Sequence, residues 1–106
     1  MQKVEEIETL ITTKPAVMLY FSAPTCNVCH ALKPKLLEAI DENFPAVEIV
    51  SIDTSVEQKL AAYFNVFAIP TVLVYLDGKE FLRKSRHMSV GDVTESIRRP
   101  YNMMMS

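Results

Sequence analysis

Residues 16–21 read Ala-Val-Met-Leu-Tyr-Phe, six apolar residues without a polar break. A strand that is apolar on both faces belongs in the middle of a sheet covered on both sides. Two more strand-like runs follow, a mostly apolar one at 47–52 and an unbroken one at 72–76. Between them lie stretches with a different period. Val4, Ile7, Leu10 and Ile11 recur at helical spacing, predicting a helix over 3–12 that Lys14-Pro15 ends. Val28, Leu32, Leu36 and Ile40 recur every four residues, predicting a second helix over 26–43 with Pro34 as an internal kink. The apolar runs at 16–21 and 47–52 are then parallel neighbours joined by a right-handed crossover.

The rest of the order follows from caps and turns. Ser55-Val56-Glu57-Gln58 has the form of a capping box, predicting a third helix from Ser55 with Leu60, Ala61 and Phe64 inward. Residues 66–70 read as a loop. Asp77-Gly78 predicts a tight hairpin after strand 72–76, and the more polar 80–86 returns as an edge strand. Ser89 caps a last helix with Val90, Val93 and Ile97 on one face. Arg98 and Arg99 suit its negative end, Pro100 stops it, and Met103-Met104-Met105 is left as a frayed tail without a role. The order is αβαβαββα, an α/β class with helices on both faces of one mixed sheet.

A chain of 106 residues, 49% hydrophobic and 23% charged, is expected to form one domain, 1–106, with its own core. A net charge of −2 offers no basic field to nucleic acid or to an anionic membrane. No apolar run approaches a membrane span, and the polar, acidic start does not read as a signal peptide. The expected location is cytoplasmic and the expected state monomeric. With Gly78 and Gly91 the only glycines, phosphate loops are disfavoured.

The two cysteines stand three residues apart, as Cys26-Asn27-Val28-Cys29, where a buried strand hands over to a helix. The first turn of a helix has free N–H groups and a partial positive charge, which stabilise a thiolate and raise its reactivity near neutral pH. Cys26 is expected at the tip and more exposed, with Cys29 one turn in. In this reading Cys26 attacks a substrate disulfide and Cys29 resolves the mixed disulfide. Three other readings of the pair stand beside it. The cysteines could be small buried hydrophobes. They could form half of a zinc site with His30, completed across a dimer. Cys-Asn-Val-Cys-His also fits a c-type haem attachment pattern, although the three strands suit a small helical cytochrome poorly.

Phe21-Ser22-Ala23, Cys26-x-x-Cys29, Pro34, Ser51-Ile52-Asp53, Ile69-Pro70-Thr71 and Asp77-Gly78 together resemble the thioredoxin family over nearly the whole chain. The resemblance implies a thioredoxin-like fold: a central mixed four-stranded sheet, helices on both faces, and room for a short extra N-terminal strand. It also implies thiol–disulfide oxidoreductase activity, and the reducing compartment expected for the chain makes it a reductant in cell redox homeostasis. The partners are then a disulfide-containing protein substrate and an electron-donating reductase, with no bound cofactor and no metal. It implies a cis Pro70 beside the cysteines, with Thr25, Ile69, Pro70 and Arg86 forming the substrate surface. Asn27, Val28, His30 and Tyr20 are the expected tuning residues. Here Thr25-Cys26-Asn27-Val28-Cys29-His30 replaces the family's Trp-Cys-Gly-Pro-Cys-Lys. Tyr20 stands in place of the family's buried aspartate and Ile49 in place of its lysine partner. Ala68 and Arg86 stand in place of two glycines near the substrate surface. His87 adds a further cationic candidate next to Arg86. A redox-sensing adaptor module with the same fold and little turnover is the alternative function.

Overall fold

Strand β1 (Ala16–Ser22) is the axis of the molecule, and its alternation explains both of its neighbours. In a computed structural model that describes residues 3–106, Ala16, Met18 and Tyr20 point to one face while Val17, Leu19 and Phe21 point to the other. All six are fully buried. On the first face they meet Leu36 and Ile40 of helix α2 (Asn27–Asn43) and Val93 and Ile97 of helix α4 (Val90–Met105). On the second they meet Ile7 and Ile11 of helix α1 (Val4–Thr13) and Leu60 of helix α3 (Gln58–Tyr63). Each large apolar side chain so covered contributes roughly 1.5–3 kcal/mol relative to exposure. Covering both faces therefore favours this placement of β1 over any edge position.

The sheet has four strands in the order β2-β1-β3-β4, with β2 at Val47–Asp53, β3 at Thr71–Leu76 and β4 at Lys79–Ser85. β2 runs parallel to β1; β3 and β4 are antiparallel to their neighbours. The Asp77-Gly78 turn has φ of 53° and 80°, the two left-handed residues that a tight hairpin of this twist requires. Phe81 is the extra residue where the β3–β4 register shifts, and it is left exposed. Among the described residues the sheet has no fifth strand, so the short extra N-terminal strand is absent there; Met1 and Gln2 lie outside them.

Four local expectations are corrected. Helix α3 starts at Gln58, without a side-chain cap, because the Ser55 hydroxyl donates instead to Asp53 Oδ1 at 2.6 Å. The same hydrogen bond holds the Asp53 carboxyl below its ordinary pKa. Helix α4 does not stop at Pro100 but continues to Met105. Tyr101 explains it: the ring is buried, sits 4.9 Å edge-on from Phe44, and its hydroxyl accepts the Ala46 N–H at 3.0 Å. These contacts offset the backbone bond that a mid-helix proline forfeits. Met104 also packs against the core, so the methionine stretch is helix rather than frayed tail. Arg98 and Arg99 are consequently mid-helix; Arg98 pairs with Glu95 and lies 5.9 Å over the Phe44 ring. Ser89 and Asp92 form the α4 capping box.

Candidate functional site

Strand pairing brings three distant segments to one end of the sheet. Phe21 at the end of β1 pairs with Thr71 at the start of β3, and Thr71 pairs with Ser85 at the end of β4. The turn after β1, the loop before β3 and the turn after β4 must therefore lie side by side. They enclose a groove of about 470 Å³ lined by Cys26, Asn27, Val28, Ile69, Pro70, Arg86 and His87. Of the sequence-derived candidates, Thr25, Cys29, His30 and Tyr20 are not part of its wall.

Cys26 and Cys29 are joined by a disulfide, with their Cα atoms 5.3 Å apart. Cys26 is the N-cap of α2; its Sγ accepts the Cys29 N–H at 3.2 Å, so the sulfur lies on the positive end of the helix. Cys26 is half-buried and faces the groove, whereas Cys29 is 1% exposed and packs into the core. The two sulfurs differ in access, as attacking and resolving thiols must. Behind them, the fully buried Tyr20 hydroxyl donates to the Cys29 carbonyl at 2.8 Å. Burial pushes the Tyr20 hydroxyl pKa up, so it is a neutral donor at ordinary pH. Tyr20 thus reaches the backbone of Cys29, not its sulfur. His30 turns away from the groove: its Nε2–H donates to the Pro24 carbonyl at 2.9 Å, tying the helix to the preceding turn. Thr25 is exposed in that turn. Among the described residues no three His, Cys, Asp or Glu side chains converge as metal ligands.

The opposite wall is built on backbone. The Ile69–Pro70 bond is cis, and Pro70 is buried beside the half-buried Ile69. The Arg86 N–H donates to the Pro70 carbonyl at 2.7 Å, and the His87 N–H donates to Ser85 O at 2.8 Å. Arg86 sits between these bonds at φ 63°, a left-handed backbone that favours glycine. Thr71 Oγ1 donates to the Ala68 carbonyl at 2.6 Å and contacts Ser85 Oγ at 2.9 Å, closing the loop from beneath. Sequence reasoning gave no role to Phe67, which is 84% exposed next to this loop. An aromatic residue three positions before Pro70, in a segment already read as a loop, was the available signal. It also missed Ser85, which carries no motif of its own.

The thioredoxin family model matches residues 2–99. The chain is 33% identical over 97 residues to thioredoxin-like protein YdfQ of Bacillus subtilis (strain 168), covering 92% of this chain and 86% of that protein. It is 37% identical over 68 residues to the thioredoxin of the same organism, covering 64% of this chain and 65% of that one. Among solved structures it is similar to thioredoxin 1 of Thermosipho africanus TCF52B, with a TM-score of 0.75 and 30% identity over 85% of this chain and 99% of the other. Sheet order, the disulfide at the head of α2 and these likenesses agree, and the chain belongs to the thioredoxin family of thiol–disulfide oxidoreductases.

Proposed function

We propose that the chain works as a disulfide reductant in cytoplasmic redox homeostasis, as a monomer and as one domain over 1–106. Cys26 is the attacking thiol and Cys29 the resolving one. The observation that carries the assignment is their asymmetry: Cys26 caps a helix and opens on the groove, while Cys29 is buried one turn in. In the reduced protein the Cys26 thiolate accepts hydrogen bonds from free N–H groups at the helix start, which favours the ionised form.

The reaction balances as two exchanges. Cys26 Sγ bonds to one substrate sulfur, and the other leaves as a thiolate that takes up a proton. Cys29 Sγ, after losing its proton, attacks Cys26 Sγ. The Cys26–Cys29 bond forms, the mixed disulfide breaks, and the second substrate sulfur departs and is protonated. The substrate gains two electrons and the protein loses two; an electron-donating reductase returns them. Thr25, Ile69, Pro70 and Arg86 hold the substrate segment in this scheme. Asn27, Val28 and His30 tune the couple through the geometry of the first helical turn, and Tyr20 holds the Cys29 backbone in place.

Titration of the free thiols across dithiothreitol redox buffers, read by alkylation and mass spectrometry, tests the couple. The expected result is one reversible two-thiol transition, with Cys29→Ser accumulating a mixed disulfide and Cys26→Ser forming none. Repeated turnover of a test disulfide separates a reductant from an adaptor. Inert thiols, or a mixed disulfide formed on Cys29 in place of Cys26, would overturn the assignment.

A further inference from the structure

Arg86 is the residue whose conformation and charge the couple alone does not explain. Its backbone is held at φ 63° by two hydrogen bonds, one of them to Pro70. Glycine takes that conformation freely and arginine does not, so the groove wall carries a long cation where the backbone favours no side chain at all. The described residues hold two ion pairs, Arg83–Glu80 and Arg98–Glu95, and neither involves Arg86. The groove has no Asp or Glu in its lining, and His87 stands next to Arg86 on the same wall. The chain as a whole has a net charge of −2. A guanidinium unmatched by any carboxylate, in the groove that Cys26 also lines, is a recognition element for one.

We propose that Arg86 makes the chain selective for protein disulfides whose cysteine lies next to an Asp or Glu. The inference rests on the oxidoreductase reading above and deepens it by naming the substrate class. The occupant is an extended peptide segment lying across Ile69 and Pro70, with its disulfide over Cys26 and a flanking carboxylate on the Arg86 fork. Charge complementarity decides against a basic segment, which Arg86 repels. A net charge of −2 gives an acidic partner no general attraction to the chain, so the pairing depends on this groove.

Three disulfide-linked peptides that differ only in the residue beside the cysteine (Glu, Gln or Lys) provide the test. Pre-reduced protein is mixed with each, and the second-order rate constant of reduction is measured at low and high salt. At low salt the Glu peptide is expected to react on the order of fivefold faster than the neutral Gln peptide, the effect of one close charge pair in water, and the Lys peptide to fall behind the Gln peptide by a similar factor. At about 1 M salt the Glu-to-Lys ratio falls toward one, because the screening length shrinks to about 3 Å. Arg86→Gln removes the ratio at low salt, and Arg86→Lys retains most of it. Arg86→Gly, which also frees the backbone, removes it as well and guards against a misfolded Gln variant. Equal rates for the Glu and Lys peptides in the unchanged protein would overturn the proposal, as would a ratio that survives both Arg86→Gln and Arg86→Gly. Failure to reduce any of the three peptides would instead sink the oxidoreductase reading, and this inference with it.

Discussion

Replacing Tyr20 with phenylalanine removes one oxygen from the centre of the molecule and leaves the ring. Tyr20 is fully buried, so the ring's packing against the core is unchanged and no cavity term enters. What is lost is the 2.8 Å bond from its hydroxyl to the Cys29 carbonyl. That carbonyl lies in the first turn of α2 and, as a helical carbonyl, keeps the N–H four residues on, so it is not orphaned. The cost therefore sits near the ordinary net value of a hydrogen bond, about 1 kcal/mol, rather than the ~3 kcal/mol of a wholly unsatisfied buried group. In urea that is a midpoint shift of roughly 0.5–1 M, for slopes of 1–2 kcal/mol/M. In heat it is a fall in Tm of about 4–8 °C. The bond ends on a backbone oxygen, so the oxidised and reduced proteins lose the same amount and the redox midpoint stays put. Urea melts of the disulfide-closed and dithiothreitol-reduced protein, with the midpoint measured in parallel, separate these statements. A urea midpoint within error of the parent would refute the hydrogen bond's contribution. A loss of about 1 kcal/mol confined to one redox form, with the accompanying shift of about 20 mV, would refute the backbone-anchoring argument.

Substitutions at two further positions test the frame around the site. Burial, reinforced by the Glu80 carboxylate paired across the strands, pushes the Tyr75 hydroxyl up to about 12. A phenol whose folded pKa is raised stabilises the fold fully below its unfolded pKa near 10 and loses that contribution as pH rises through the folded value. At pH 11 the parent is expected to have lost about 1 kcal/mol relative to pH 9 through this group, and Tyr75→Phe to have a correspondingly flatter profile. Identical alkaline profiles in urea melts would count against the shift. In α4, Tyr101→Ala should cost about 3–5 kcal/mol, since it empties a buried ring site and breaks the Ala46 contact. Tyr101→Phe should cost only about 1 kcal/mol, and a Tyr101→Ala loss below that figure would mean the helix beyond Pro100 contributes little.

Pro100 and Ser55 show where the sequence misled. Both were read by local rules: a proline ends a helix, and Ser-x-x-Gln opens one. Each rule was defeated by a partner elsewhere. Phe44 and Ala46, more than fifty residues from Tyr101, hold α4 together past its proline. Asp53, two residues before Ser55, takes the hydroxyl that would have capped α3. By contrast, the apolar run of β1 was readable because one physical demand, cover on both faces, leaves a strand few places to go. The Asp77-Gly78 hairpin was readable because few residue pairs tolerate its dihedrals.

The candidate site divides along the same line. The cysteine pair is local, and its strand-to-helix position could be read from hydrophobic period alone. The facing wall is not local. Residues 69–70 and 86–87 reach Cys26 only because β3 pairs antiparallel to β1 and β4 antiparallel to β3, which puts three chain ends together. No periodicity shows that pairing order; the resemblance implied only its consequence, Pro70 beside the cysteines. Nor does the sequence reveal that position 86 has a left-handed backbone, because its arginine is the wrong residue for one. A site residue that breaks its own local rule is invisible to rules built on local preference. The resemblance named Arg86 as substrate surface in place of a glycine; the fold adds the left-handed backbone it keeps there and its place in the groove that Cys26 lines.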